Sequence, residues 1–197
     1  MTEMMNALTL TEYMKMTYQQ VPKPVITANE VLIRVKACGI CGSDIHGFDG
    51  STGRRKPPVI MGHEAAGVIE AIGADVKGWT VGDRVTFDST IYCGHCDYCM
   101  KGQVNLCGNR RVLGVSCEDY RRDGAFAEYV AVPAHILYKL PDAVSFDEAS
   151  LVEPLSVALH AVNLCPRDLN ASVTVVGAGK IGFLVVQTLR AAGYGKI

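Results

Sequence analysis

Between Gly39 and Glu64 the chain carries Cys41, His63 and Glu64: one thiolate, one imidazole and one carboxylate. A catalytic zinc takes this mix of ligands and keeps one position open for water or substrate. The wide gap between Cys41 and His63 suits such a site, because structural zinc is usually pinned by close pairs of ligands. Two plainer readings compete. A lone cysteine is most often a small buried hydrophobe. Cys38 and Cys41 also spell C-x-x-C, the spacing of a thioredoxin-like redox pair. A redox pair opens a helix after a strand. Here Cys38 ends the strand-like run 31–37, and Gly39 and Gly42 are expected to break the chain beyond it. On these residues alone, zinc and redox chemistry both stay open.

A second constellation is Cys93-Gly-His-Cys96-Asp-Tyr-Cys99 followed by Cys107. Four thiolates in one short loop fit a closed tetrahedral zinc with no open position. An iron–sulfur cluster is the rival, but the bacterial ferredoxin run has a shorter last gap and a proline after its last cysteine. Gly108 follows Cys107 here. His95 lies between two of the ligands as a bystander, and Cys117 and Cys165 read as plain thiols.

The third is Gly177-Ala-Gly179-Lys180-Ile181-Gly182, after the β-branched run 172–176 and before an apolar stretch through Ala192. Strand, glycine loop and helix together are the context a dinucleotide fingerprint requires. The first glycine makes the turn, the second lets backbone approach a pyrophosphate, and the third lets helix pack on strand. Donors at the helix N-terminus face the phosphates. The acidic residue that reads the ribose is expected about 20 residues beyond the fingerprint, past Ile197. Residues 193–197 read as the start of a second strand.

Positioning these groups takes scaffold. Residues 6–18 read as a β-hairpin, 21–24 as a turn or linker, and 31–37, 65–72, 84–87 and 125–132 as strands. Frequent short strands with glycine turns describe a β-rich, barrel-like domain. Residues 51–58 read as a surface loop. Its Arg54-Arg55-Lys56 run is expected to be solvated, with a grip on a phosphorylated substrate as the sharper alternative. Ser145 and Glu148 form a capping box that starts a helix. Pro154 is expected to interrupt it, leaving Glu153 at the break and a second helix over 155–164. Glu153 is either an ordinary exposed glutamate or a carboxylate aimed into a site.

The chain has 197 residues, 49% of them hydrophobic, with a formal net charge of −1. Without a basic block, nucleic acid is not an expected partner. There is no apolar run long enough to span a bilayer, and the first residues lack the pattern of a signal peptide. The expectation is a cytoplasmic protein, in which eight cysteines point to metal before disulfides.

Taken in order, Gly39-Ile-Cys-Gly-Ser-Asp-Ile-His46, Gly62-His-Glu64, the four-cysteine lobe, Glu153-Pro-Leu-Ser-Val157 and the glycine fingerprint resemble the zinc-dependent medium-chain alcohol dehydrogenases. The Glu153 segment looks most like the polyol (sorbitol or iditol) branch, with threonine and sugar-alcohol-phosphate dehydrogenases nearby. The resemblance implies an α/β protein: a GroES-like catalytic domain over 1–150, then the first βα unit of a Rossmann NAD(P)-binding domain over 151–197. The rest of that domain, and a returning C-terminal segment, would lie outside this sequence.

The resemblance also implies that Cys41, His63 and Glu64 hold a catalytic zinc, and that Glu153 contacts its water and exchanges roles with Glu64. Ser43 and His46 would relay the proton, and Asp44 would orient His63. Cys93, Cys96, Cys99 and Cys107 would hold a structural zinc. Gly177, Gly179, Lys180, Ile181 and Gly182 would meet NAD or NADP. The implied protein binds two zinc ions per subunit, oxidises a small alcohol or polyol, and forms a dimer or tetramer. Polyol dehydrogenases often place an aromatic residue directly after the relay histidine, whereas this chain has Gly47. A reading of another class is a non-catalytic, zinc-stabilised fragment, because these 197 residues alone are expected to be inactive.

Overall fold

A computed structural model describes residues 2–197. The chain divides into two compact units, Met1–Ser150 and Leu151–Ile197.

The first unit is built on a five-stranded antiparallel sheet. Its order is Tyr129–Pro133, Glu30–Gly39, Glu64–Ile72, Arg84–Phe87 and Leu137–Lys139. Apolar residues on alternate positions of the strands meet on one side. Val31, Ile33, Ile69, Val85, Phe87, Val130 and Val132 bury there together with Leu113 and Ile136. Each such side chain contributes roughly 1.5–3 kcal/mol by leaving water. A smaller sheet orders Lys15–Pro22, Met4–Glu12 and Val59–Ile60. The expected hairpin is present, but its second strand runs on through Pro22 rather than ending in a linker at Val21. An edge strand tolerates proline because it needs no amide there.

Register matters most between Glu30–Gly39 and Glu64–Ile72. The pairing has irregularities at Leu32/Ile33 and Val35/Ala37, and it ends with Gly39 opposite Glu64. The four-cysteine stretch leaves this body at the short pair Thr90–Ile91 with Arg111–Val112, which holds its two ends together. The expected strand over 125–132 is shorter, Tyr129–Pro133. The preceding amides serve a different purpose: Gly124, Ala125 and Phe126 donate to the carbonyls of Ile60, Gly62 and Met61. These bonds pin the segment that delivers His63.

Ser145 and Glu148 exchange capping bonds, Ser145 N–H to Glu148 Oε2 at 2.8 Å and Glu148 N–H to Ser145 Oγ at 3.2 Å. The helix Phe146–Ser150 follows.

In the second unit the helix runs Val152–Asn163, with Leu151 at its N-terminal boundary. The break therefore falls at Leu151, not at Glu153. Glu153 and Pro154 lie inside the first turn, where amides have no helical partner and a proline loses nothing. The helix Lys180–Ala191 packs with it around Val162, Leu189 and Tyr194. The expected strand over 172–176 does not form a ladder. Ser172 makes a single parallel bridge with Lys196, and Val173 N–H donates to the Lys196 carbonyl at 2.9 Å. Val173 and Val175 still turn inward onto the cluster while Val176 is exposed. The segment is extended and alternating, but a ladder needs a neighbour along its length, and among the described residues only Lys196 bridges to it.

Candidate active site and metal centres

Cys41 stands immediately before the seven-residue helix Gly42–Phe48. The expectation that Gly39 and Gly42 break the chain is thus wrong for Gly42, which starts a helix without strain. Cys38 ends up on the strand, half-buried against the large core. Cys41 instead faces two residues that come 22 positions or more later.

Cys41 Sγ, a His63 ring nitrogen and a Glu64 carboxylate oxygen all lie within 4.8 Å of one another. The sheet explains the convergence. Glu64 pairs with Gly39, two residues before Cys41, so antiparallel register carries the two motifs to one sheet end. His63 is 6% exposed and Glu64 1%. A thiol, an imidazole and a carboxylate so close and so dry form a donor set that a divalent cation satisfies.

Asp44 is buried beside them. Its Oδ2 accepts the Cys41 N–H at 2.9 Å, and its Oδ1 lies 3.5 Å from His63 Nδ1. A carboxylate against the far nitrogen of a metal-type histidine fixes the ring's orientation and tautomer. Burial pushes the Asp44 carboxyl up, but His63, the Cys41 amide and the Arg55 charge outweigh it, and it sits below its ordinary value.

Ser43 and His46 share the short helix. His46 is exposed, with Nδ1 3.4 Å from Ser51 Oγ and 3.8 Å from Asp49. Glu153 is half-buried in the first turn of its own helix, in the other unit.

The four cysteines also converge. All four Sγ atoms lie within 4.8 Å of one another. Cys96–Cys99 is 3.5 Å and Cys93–Cys99 3.9 Å. Bonds of about 2.3 Å to a tetrahedral zinc place sulfurs about 3.8 Å apart, so the cage already has the right size. Its electrostatics point the same way. The His95 amide and neighbouring donors lower the Cys93 thiol to about 6. Loss of solvation, with the adjacent sulfurs, pushes Cys99 up to about 12. Crowded sulfurs cannot all ionise without a cation among them. His95 Nδ1 lies 2.9 Å from the Cys93 carbonyl oxygen.

In the second unit Gly177 has φ +109°, and Gly179 caps the helix Lys180–Ala191. Gly182 stands so close to the Gly177 carbonyl that no Cβ fits between them. Lys180 and Ile181 are exposed at the helix start. A recess of about 220 Å³ lies here, lined by Val175, Gly177, Ala178, Gly182, Phe183 and Val186.

One neighbour of the site stands where the sequence does not place it. Arg55, read as one of three solvated cations, is buried at 6% exposure. Arg54 and Lys56 on either side are exposed, and Lys56 pairs with Glu118 at 2.8 Å. The available signal was the alternation of an extended segment, which turns every second side chain to the same face.

A β domain with a mixed-donor cluster and a four-sulfur cage, followed by a glycine loop on a helix, defines a class of metal-binding dehydrogenase-like proteins. The chain belongs to the alcohol dehydrogenase GroES-like domain family, which it matches over residues 27–142. It is 37% identical to sorbitol dehydrogenase of Bacillus subtilis over 182 residues, covering 91% of this chain and 50% of that protein. It is 42% identical to L-threonine 3-dehydrogenase of Symbiobacterium thermophilum, covering 90% and 50%. A zinc-binding dehydrogenase from Sinorhizobium meliloti 1021, solved with NADP, superposes with a TM-score of 0.87 at 38% identity, covering 97% of this chain and 54% of that one. The chain thus spans about half the length of the curated relatives it matches. No described helix is long and apolar enough to cross a membrane.

Proposed function

We propose that this protein is a zinc-dependent oxidoreductase that moves a hydride between a secondary alcohol or polyol and NAD or NADP. The observation that carries this is the meeting of Cys41, His63 and Glu64 donors within 4.8 Å, in a family whose members include sorbitol and threonine dehydrogenases. A zinc held by Cys41, His63 and Glu64 would supply the Lewis acidity that lowers the pKa of an alcohol, and a nicotinamide cofactor bound at the glycine loop would supply the hydride acceptor.

This chain's residues do the rest. Asp44 holds the His63 ring in place. Ser43 and His46, on one exposed-to-buried helix, lead the alcohol's proton to solvent. Glu153 enters the proposal as a second carboxylate through its Glu-Pro-Leu-Ser-Val segment alone. Cys93, Cys96, Cys99 and Cys107 hold a second, structural zinc. Gly177, Gly179, Lys180, Ile181 and Gly182 cradle the pyrophosphate at a helix N-terminus. The division into a catalytic domain over 1–150 and a cofactor-binding domain from 151 belongs to the same proposal. So do a cytoplasmic setting, a homo-oligomer and the lack of a nucleic-acid partner.

The test is metal content and turnover of the zinc-loaded full-length enzyme and its Cys41→Ser variant. The expected result is about two zinc ions per chain, falling to about one in the variant together with loss of NAD(P)-dependent alcohol oxidation. Near-normal turnover in Cys41→Ser would sink the assignment.

A second reading, a zinc-stabilised module without turnover, is favoured by one observation: the segment before the fingerprint makes a single bridge, Ser172 to Lys196. Titration with NADH and NADPH separates the two. Saturable binding that Gly182→Ala abolishes supports the enzyme, and no binding to zinc-loaded protein supports the module.

A further inference from the structure

Arg55 is the one buried arginine or lysine among the described residues, at 6% exposure. Three contacts fix it. The backbone on either side of it is clamped by Ser116, whose carbonyl accepts from Lys56 N–H at 2.8 Å and whose N–H donates to the Arg54 carbonyl at 3.1 Å. Its aliphatic stem lies over Gly47. A Cβ at residue 47 would overlap Arg55 Cγ and come within 3.1 Å of Arg55 Cβ and 3.0 Å of Met61 Sδ. The position that follows the relay histidine therefore lacks a side chain because the arginine stem fills the space. The head reaches the helix of Cys41. Arg55 Nη2 donates to Ser43 Oγ at 3.4 Å, and Nε is buried without a hydrogen-bond partner. Burial lowers the Arg55 pKa, while Asp44 and Cys41 nearby raise it.

A guanidinium donates and never accepts, whereas a hydroxyl has one hydrogen to give and two lone pairs. When Arg55 donates into Ser43 Oγ, the serine's own hydrogen must point elsewhere. We propose that Arg55 is a positioning residue for proton transfer. It fixes the direction of the Ser43 hydroxyl and places a positive charge beside Asp44. This rests on the dehydrogenase function proposed above. In the step it serves, the alcohol O–H breaks as a new O–H forms at Ser43 Oγ. The serine's former hydrogen passes on towards His46 and water, so the hydroxyl is neutral before and after. Gly47 and Arg55 form a unit: one clears the space that the other occupies.

The test uses the zinc-loaded full-length enzyme with Arg55→Met, Arg55→Lys and Gly47→Ala. Arg55→Met is expected to lower kcat about 10- to 100-fold. KM should stay within about threefold and zinc content should not change. Arg55→Lys, or free guanidinium added to Arg55→Ala, should restore part of kcat. Gly47→Ala, which moves the stem but keeps the charge, should lower kcat alone and add little in the Arg55→Met background. A kcat for Arg55→Met within about twofold of wild type, or a loss that tracks loss of zinc, would overturn the inference. One readout needs no turnover. The Arg55 guanidinium protons of ¹⁵N-arginine-labelled protein should shift in Ser43→Ala, and unmoved signals overturn the hydrogen bond whatever the activity. A wild type without NAD(P)-dependent turnover counts instead against the proposed function.

Discussion

Gly39 and Glu64 stand opposite each other in an antiparallel pair, and the Glu64 carboxylate fills the space a side chain at Gly39 would need. A Cβ built there lies 2.5 Å from Glu64 Oε2 and 3.3 Å from Glu64 Cβ. The glycine before the Cys41 motif and the glutamate after His63 are therefore one structural feature, although 25 positions separate them. With Glu64 at 1% exposure, its carboxylate has little freedom to yield.

Gly39→Ala should displace that carboxylate from Cys41 and His63. Overpacking of this kind costs about 1–3 kcal/mol, read as a lower denaturant midpoint. Metal analysis should show about one zinc per chain in place of about two, with the four-sulfur cage still loaded. An unchanged metal content would show that the sheet end relaxes around the methyl group.

Cys107→Ser should act on the other centre. Cys107 is fully buried, and its Sγ accepts the Cys93 N–H at 3.4 Å. A structural metal contributes directly to folding, so its loss should free the stretch between the paired ends Thr90–Ile91 and Arg111–Val112. Limited proteolysis should then cut between residues 93 and 107, while the fragment 1–91 resists. A chelator should reproduce the cleavage in the wild type, and excess zinc should reverse it.

Acid should weaken the first unit partly through Glu30. Its Oε2 accepts from Thr27 N–H and Thr27 Oγ1, both at 2.9 Å, and its Oε1 pairs with Arg122. Burial pushes its carboxyl up, but these partners prevail and hold it below its ordinary 4.5. A folded-state value below the unfolded one stabilises the native state above the unfolded value. That contribution is lost as pH falls through the folded value. Glu30→Gln should therefore cost about 1–3 kcal/mol at pH 7, and the gap to wild type should close below pH 4.5. A constant gap from pH 7 to pH 3 would mean that the glutamate's charge is not involved.

Local patterns that carry their own geometry were readable in advance. Four cysteines within fifteen residues can hardly avoid one another, and Ser145 with Glu148 can only cap a helix start. The hairpin near the N-terminus and the strand bearing Cys38 follow from alternation. Where a partner distant in sequence decides the outcome, the expectation fails. The run 172–176 has strand chemistry, but a ladder depends on what faces it. Sequence alone marks Pro154 as a helix breaker because a proline costs most in a helix interior. The break came three residues earlier, which put the proline in the first turn at no cost.

Residue types and spacing determined what chemistry this protein can hold: a thiolate, imidazole and carboxylate set, a four-thiolate cage and a glycine fingerprint. Tertiary structure alone decided which of these groups meet. Antiparallel register between Glu30–Gly39 and Glu64–Ile72 brings Glu64 and His63 to Cys41. The bridge between Arg55 and Ser116, 61 positions away, turns the middle cation of a basic triplet inward. Arg54 and Lys56 stay in water because an extended chain alternates its faces. Composition cannot signal this, since a buried charge depends on the counter-charge that folding places beside it. Asp44 supplies that charge here.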